Sequence, residues 1–343
     1  MEYQSLEPML RQFVARRCGP DHRLHGGGLL EDGHAGLTFH FAAADDRSDM
    51  VRDMVLKLAP PGVRRAGNTD VHRQAPLLRA LHAAGLPVPD ILFAAPDEAE
   101  FGTPYIVMPR LPGRTFVVWD PHPAFGRDPA LIAGIWRQTA QVLGVLHGFD
   151  WRRHLPDWEA PRDALQEMQR WDGLLLKSPE PEWIALGQAL RRRLAEMPPA
   201  PVPLGLFHGD FQPGNVLFED GRLVAVIDWE LAGIGDQRLD LGWLLMMADG
   251  RSWSDNWQPV SALAPEDLVG AYEAARGQAA GDLRWHRALA GYRMGAISCL
   301  NVRLHRKGQR RDGIWEFFAD SVPRLFGRGL ELLDQIADEG GLR

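Results

Sequence analysis

The chain reads as an α+β protein of two lobes: a small, β-rich N-lobe with one helix, and a larger, mostly helical C-lobe that carries a β-hairpin. Three observations predict this. Short β-prone runs fill the segment up to residue 108, and long helical patterns take over from residue 130. Among those helices stand two apolar runs, Val216-Leu217-Phe218 and Leu223-Val224-Ala225-Val226-Ile227, separated by Glu219-Asp220-Gly221-Arg222. At 343 residues the chain is long enough for two lobes with a core each.

The N-lobe elements follow in order. Leu37-Thr38-Phe39-His40-Phe41 alternates and is rich in β-formers, Asp45-Asp46-Arg47-Ser48 turns the chain, and Met54-Val55-Leu56-Lys57-Leu58 is the next strand. Leu77-Leu78-Arg79-Ala80-Leu81-His82 makes an apolar helical stripe, stopped by Gly85 with Pro87 beyond it. Ile91-Leu92-Phe93 and Tyr105-Ile106-Val107-Met108 supply two more strands. Pro109 to Gly113 then reads as a hinge, so the N-lobe is expected over 1–108, the hinge over 109–113 and the C-lobe over 114–343. Helical patterns run over 130–148, 162–177 and 182–196, and again from 239 onward. His147 closes the first of these and reads as a packing residue at a helix end.

The hairpin carries the chemistry. Asp-Gly between two apolar runs is a strong hairpin signal, because Gly accepts positive φ without steric cost. Folding back is expected to bring Asn215, at the hairpin's entrance, toward Asp228 at its exit. Two oxygen ligands would then converge, which suits Mg²⁺ with phosphates and water completing its shell. Asp210, on the loop ahead of the hairpin, would face the same point and accept a proton from a substrate hydroxyl. His208 is expected to brace that loop by hydrogen bonding.

Asp210 and Asn215 stand five apart, the spacing between the base and the metal-binding Asn of the protein-kinase catalytic loop, and Asp228 stands where D-F-G has its metal-binding Asp. The run from His208-Gly209-Asp210-Phe211-Gln212-Pro213-Gly214-Asn215 to Val226-Ile227-Asp228-Trp229-Glu230 and Leu239-Asp240-Leu241 resembles the signature of the aminoglycoside phosphotransferase and choline kinase-like family. Its members have a protein-kinase-like fold. The resemblance implies that Asp210 is the catalytic base, that Asn215 and Asp228 bind Mg²⁺, and that Asp240 is a buried carboxylate bracing the catalytic loop. The implied activity is an ATP- and Mg-dependent transfer of the γ-phosphoryl group to a hydroxyl of a small molecule. Gly291-Tyr292-Arg293-Met294 and Asn301-Val302-Arg303-Leu304-His305 resemble the uncharacterised bacterial branch more than the antibiotic-resistance enzymes. The rival reading is a nucleotide-binding pseudokinase, a regulatory module without turnover; the intact Asp210, Asn215 and Asp228 set argues against it.

On the nucleotide side, Lys57 resembles the β3 Lys of V-A-I-K, which meets the α- and β-phosphates. The other reading is a strand lysine pointing to solvent. Gly26-Gly27-Gly28 and Gly33-His34-Ala35-Gly36 are the candidates for a loop over the phosphates, since glycine lets backbone N–H groups approach an anion. In the second cluster Ala35-Gly36 replaces the Ser-Asn of the family pattern. Between Met54 and Pro89 there is no Glu, and Asp70 is the one Asp. Gln74 falls at the position of the kinase αC Glu and is expected to orient Lys57, with Asp70 as a helix cap. Backbone groups of Met108 and Arg110 are expected to meet adenine, with Pro109 offering no N–H.

Composition narrows the partners. A formal net charge of -7 argues against general nucleic-acid binding. No apolar run approaches a membrane span, and the N-terminus lacks a signal-peptide pattern. Two cysteines, Cys18 and Cys299, suit a reducing cytoplasm. The spacing of His22, His25, His34 and His40 fits no zinc motif. The basic run Arg303, His305, Arg306, Lys307, Arg310 and Arg311 reads first as a solvated helix end and second as an anion clamp, whereas Asp249, Asp255, Glu266 and Asp267 are the carboxylates available to a polycation. The motif states how phosphate moves; the acceptor is chosen by the helices beyond Asp240.

Overall fold

A computed structural model describes residues 2–30, 37–45, 47 and 50–341. The chain divides into two compact units, Met1–Gly113 with Arg152–Trp158 and Val224–Leu231, and Arg114–Trp151 with Glu159–Leu223 and Ala232–Arg343.

The first unit opens with helix α1 (Tyr3–Arg17), followed by β1 (His22–Leu29), β2 (Leu37–Asp45), β3 (Val51–Leu58), helix α2 (Gln74–Ala83), β4 (Phe93–Ala95) and β5 (Tyr105–Pro109). The strands form one antiparallel sheet in the order β1-β2-β3-β5-β4. The lobe therefore has a second helix, α1, besides the one expected. Its apolar positions Leu6, Leu10, Phe13 and Val14 lie four, seven and eight residues apart on one stripe, and all are buried. Pro8 and a polar remainder dilute that pattern in the sequence. Phe13 is the anchor, with its ring 5.2–6.2 Å from those of Phe41, Phe93, Phe101 and Tyr105. Edge and tilted pairs of this kind add about 0.5–1.5 kcal/mol each beyond burial.

Gly26-Gly27-Gly28 does not form a phosphate loop: it lies inside β1, where a register shift between Leu24 and Gly27 marks a bulge against β2. A Cβ on Gly27 would stand 2.5 Å from Tyr3 Oη and 2.8 Å from the His40 carbonyl, so close packing requires glycine there. Gly33 and Gly36 lie outside the described residues. Gly85, at φ +76°, closes α2 as expected. The run Ile91-Leu92-Phe93 enters the sheet only at Phe93, after Leu92 N–H bonds the Val107 carbonyl at 2.8 Å.

The second unit begins at β6 (Arg114–Thr115) and continues through α3 (Pro129–Leu146); a short helix α4 (Trp151–His154) spans a boundary between the units. There follow α5 (Ala164–Gln169), α6 (Asp172–Leu175), α7 (Pro181–Glu196), β7 (Gly205–Phe207), β8 (Val216–Glu219), β9 (Arg222–Val226), which from Val224 is counted with the first unit, β10 (Gly233–Gly235), α8 (Arg238–Ala248), α9 (Pro265–Arg276), α10 (Arg284–Arg306) and α11 (Ile314–Gly341). The helix expected over 162–177 is two short ones. Asp163 and Gln166 form a capping box at its start, and Trp171 N–H then closes on the Met168 carbonyl three residues back, which ends α5. The core is built on α10, whose Tyr292, Ala296, Cys299 and Val302 are buried with Leu190 and Leu194 of α7 and Val322 and Phe326 of α11. On its other side α10 meets α8 at Gly242.

Candidate active site

In the second unit, β7 pairs antiparallel with β10, Phe207 opposite Gly233, and delivers the chain to His208. Gly209, at φ +91°, turns the backbone so that its own N–H and that of His208 point the same way. Both are taken by Asp240 in the first turn of α8: His208 N–H donates to Oδ2 at 2.6 Å and Gly209 N–H to Oδ1 at 2.7 Å. Asp240 is fully buried. Burial by itself would raise its pKa, but the bonds from His147 and His208 outweigh it and hold the carboxyl below its ordinary value.

His147, at the end of α3, supplies the third of those bonds. Its Nε2 stands 3.2 Å from Asp240 Oδ2 and its Nδ1 2.9 Å from Tyr272 Oη. With Nε2–H donated to the carboxylate, Nδ1 accepts from the phenol, whose pKa burial pushes up to about 12. Closing a helix suggested packing alone for His147; the structure gives it this bond as well.

The pinned loop presents Asp210. Its N–H donates to His208 Nδ1 at 3.2 Å, Gln212 Nε2 donates to its Oδ1 at 3.3 Å, and Asn215 Nδ2 donates to its Oδ2 at 3.1 Å and to its carbonyl at 2.7 Å. Asn215 thus spends its NH₂ on Asp210 and keeps its amide oxygen for another partner. A short 3₁₀ turn, Pro213–Asn215, leads into β8, and the hairpin then reverses at Asp220 (φ 48°) and Gly221 (φ 75°), as Asp-Gly predicts.

In the first unit the key group is Lys57. It lies on β3 between Leu56 and Leu58, which face the aromatic core, so alternation turns it to the sheet's opposite face. It is buried, and this disposes of the solvent-facing reading. Nζ donates to Asp228 Oδ1 at 2.6 Å and to Glu230 Oε2 at 3.4 Å. Burial pulls the ammonium pKa down, but Asp228 and then Glu230 more than offset it, and the value lies above that of a free lysine. Asp228 itself sits at φ 63°, a left-handed conformation uncommon for a residue with a Cβ and typical of functional positions.

Gln74 does not hold Lys57. Its side chain is buried, among the described residues its Nε2 has no hydrogen-bond partner, and the carboxylates beside Lys57 come from the chain after the hairpin. Position within a helix suggested Gln74; Glu230, two residues after Asp228, was missed because nothing in its spacing separates it from a turn residue. Asp70 does cap, accepting from Arg73 N–H at 3.3 Å. At the end of β5, Met108 is half-buried and Arg110 exposed. Arg110 already donates its N–H to the Asp53 carbonyl at 2.9 Å, so the adenine donor expected at that residue is spent.

Two groups have emerged, an Asp-Asn pair on a loop pinned by a buried carboxylate and a Lys-Asp-Glu cluster on a β-rich lobe, and their sequence context decides the assignment. Residues 29–292 match the pattern of the phosphotransferase enzyme family. The chain belongs to that family. The family fold is seen in solved structures. A Ralstonia eutropha protein provisionally assigned as an aminoglycoside phosphotransferase superposes with a TM-score of 0.75 at 18% identity, covering 96% of this chain and 98% of that one. A thermostable variant of the aminoglycoside phosphotransferase APH(4)-Ia, solved with ADP and hygromycin B, gives 0.61 at 16% identity, covering 96% and 98%. Likeness at that identity is one of protein-kinase-like fold. Among curated relatives, mouse acyl-CoA dehydrogenase family member 10 is 27% identical over 62% of this chain. The chain spans 20% of that relative, and 27% and 38% of two others. Among the described residues, no helix of this phosphotransferase-family member is long and apolar enough to cross a membrane.

Proposed function

We propose that the protein transfers the γ-phosphoryl group of ATP to a hydroxyl of a small-molecule acceptor. The observation that carries this reading is the pairing of Asp210 with Asn215 on a loop whose backbone is held by Asp240. A carboxylate so positioned can orient a hydroxyl and take its proton as the new O–P bond forms; the bond from Pγ to the bridging oxygen of ADP breaks and ADP keeps that electron pair. Lys57, cationic and aligned by Asp228 and Glu230, is the anchor for the α- and β-phosphates.

Each of the two residues expected to hold Mg²⁺ has a side chain of the kind that ion takes. Asn215 retains an amide oxygen and Asp228 is a partly exposed carboxylate, hard oxygen ligands of the kind that ion takes with phosphates and water. When bound, Mg²⁺ would neutralise charge on the β- and γ-phosphoryl oxygens. The chain's part is to position groups and exclude water, the main source of rate in phosphoryl transfer. The ADP complex of APH(4)-Ia supports a nucleotide in this fold, and the hygromycin B beside it supports a hydroxylated small molecule as acceptor.

The test is a screen of sugars, amino alcohols, aminoglycosides, macrolides and hydroxyacyl thioesters with ATP and Mg²⁺, read as a mass gain of one phosphoryl group. Relatives named for acyl-CoA dehydrogenation make the thioester arm worth including. Asp210→Asn should abolish turnover while leaving ATP binding in place. Turnover by Asp210→Asn close to that of the wild type would show that the base is another group.

A further inference from the structure

Arg293 on α10 is 8% exposed, and its guanidinium lies between two indoles, 4.5 Å from the ring centre of Trp171 and 4.2 Å from that of Trp243. Among the described residues, its Nε and Nη2 are buried and find no hydrogen-bond partner. A guanidinium meets aromatic rings through its faces and polar partners through its edges. Nε and Nη2 form one such edge, with parallel N–H bonds at the spacing of the two oxygens of a carboxylate. Buried donors are seldom left without acceptors, and one that is calls for an explanation.

Arg293 lines a pocket together with Glu167, Trp171, Gly209, Trp243 and His286 among others. Gly209 is the residue before Asp210, and the charge of Asp210 acts on Arg293 more strongly than that of any other acid. Trp243 Nε1 and His286 Nδ1 are also buried without partners. His286 donates Nε2–H to Asp236 at 2.9 Å, which leaves Nδ1 an acceptor. Among the described residues Glu167 makes no hydrogen bond to Arg293, and its carboxylate is shared with two other cations, receiving Arg162 Nε at 3.1 Å and Arg170 Nη1 at 2.8 Å.

The other charges of this unit agree. Arg306, in the basic run, is spent on Glu316 and Glu180. Asp249 is held by Arg287 and Arg328, and Asp255 by Arg324. Two of the four carboxylates available to a polycation are thus held by arginines, while, among the described residues, Nε and Nη2 of a buried cation beside the catalytic loop have no hydrogen-bond acceptor.

We propose that this pocket is an oxyanion subsite for the acceptor: the molecule that offers its hydroxyl to Asp210 also carries a carboxylate-type group, which docks on the Nε–Nη2 edge of Arg293. The subsite deepens the phosphotransferase reading and rests on it for the role of Asp210. Trp171 and Trp243 are its built-in reporters. At constant ionic strength, glycerate should change tryptophan fluorescence saturably, and glycerol, its uncharged counterpart, should not. Arg293→Gln should weaken the glycerate response by roughly tenfold to a hundredfold, the loss expected for a charged hydrogen-bonded pair, with Arg293→Lys between the two. Inorganic phosphate is the third arm; a tighter response to it than to glycerate makes the docked group a phosphate ester, still an oxyanion. Equal responses to glycerate and glycerol, or an unchanged response in folded Arg293→Gln, overturn the subsite. If Arg293→Gln fails to fold by circular dichroism, the wild-type comparison decides. Transfer separates this proposal from the one beneath it. Phosphorylation confined to neutral or cationic acceptors sinks the subsite and leaves the phosphotransferase standing. Glycerate binding with no transfer to any hydroxy acid, neutral or cationic acceptor sinks the phosphotransferase reading instead.

Discussion

Asp240 accepts the backbone N–H of Gly209 on one carboxylate oxygen while the other takes the N–H of His208, all without solvent. Asp240→Asn keeps the size but replaces one acceptor oxygen with an NH₂ that faces another donor. Breaking a buried, charge-assisted set of this kind costs about 3 kcal/mol. The variant should melt well below the wild type and, where still folded, should lose turnover through the displaced Asp210. Chemical denaturation and single-turnover rates below the transition measure the two effects. Full activity in a folded Asp240→Asn would mean the loop does not depend on that anchor.

Lys57 is held by Asp228 and Glu230, so the neighbour to remove is Glu230. Glu230→Gln should raise the KM for ATP by about threefold to tenfold, the net worth of one ordinary hydrogen bond, since the contact is 3.4 Å long and glutamine keeps an acceptor oxygen. Gln74→Ala should leave that KM unchanged within about twofold and cost stability alone, through the small void in a packed site. The reverse ranking, measured by steady-state kinetics over ATP, would restore the kinase-like Gln74 pairing.

What is legible in the sequence depends on range. The loop and hairpin were legible because their signals are local: Asp-Gly fixes the turn, and Asp210 and Asn215 lie within one loop. Asp240 was legible through resemblance alone, since nothing in Leu239-Asp240-Leu241 by itself announces a carboxylate that accepts two backbone amides 31 and 32 residues away. Glu230 and Arg293 were not legible as site residues. The first needs the strand that carries Lys57 folded against it, and the second needs two distant tryptophans, Trp171 from the turn between α5 and α6 and Trp243 from α8. The glycine cluster at 26–28 misled because glycine serves a close packing contact as well as it serves an anion. Helix α1 is hard to read from the sequence because Pro8 and the charged and polar residues around it interrupt its apolar stripe.

Acid sensitivity should come from His286 first and Asp236 second. Burial holds the His286 pKa below its ordinary value of about 6.5, so the folded protein resists a proton that the unfolded chain accepts. The stability this provides is fully present above pH ~6.5 and is lost as pH falls below it, by at most about 1.4 kcal/mol per pH unit for one proton. Asp236, bonded to His286 and Arg238, lies below the ordinary carboxylate range despite its burial, and its contribution is lost only under pH ~3.9. His286→Gln should flatten the stability curve between about pH 6.5 and 5 and weaken the more acidic limb, because Asp236 keeps Arg238 but loses the imidazole. Urea midpoints at about pH 7.5, 6 and 5 distinguish the curves; parallel slopes would assign the acid limb to other groups.

The seam between α8 and α10 offers the sharpest stability test because it lies two residues from Asp240. A Cβ on Gly242 would stand 2.6 Å from the backbone carbonyl carbon of His286 and 2.7 Å from its Cβ, atoms that cannot yield without moving α10. Gly242→Ala should therefore cost about 1–3 kcal/mol through overpacking, although alanine is the better helix former. Relief of the clash pushes α8 outward, carrying Asp240 away from the amides of His208 and Gly209, so turnover should fall together with stability. At Gly134, on α3, a methyl group would have no neighbour within 4 Å beyond the helix's own backbone. Gly134→Ala should then stabilise by about 0.5–1 kcal/mol and leave turnover alone. Opposite signs for the two substitutions isolate helix contact from helix propensity; a stabilising Gly242→Ala would show that the seam is looser than 2.6 Å implies.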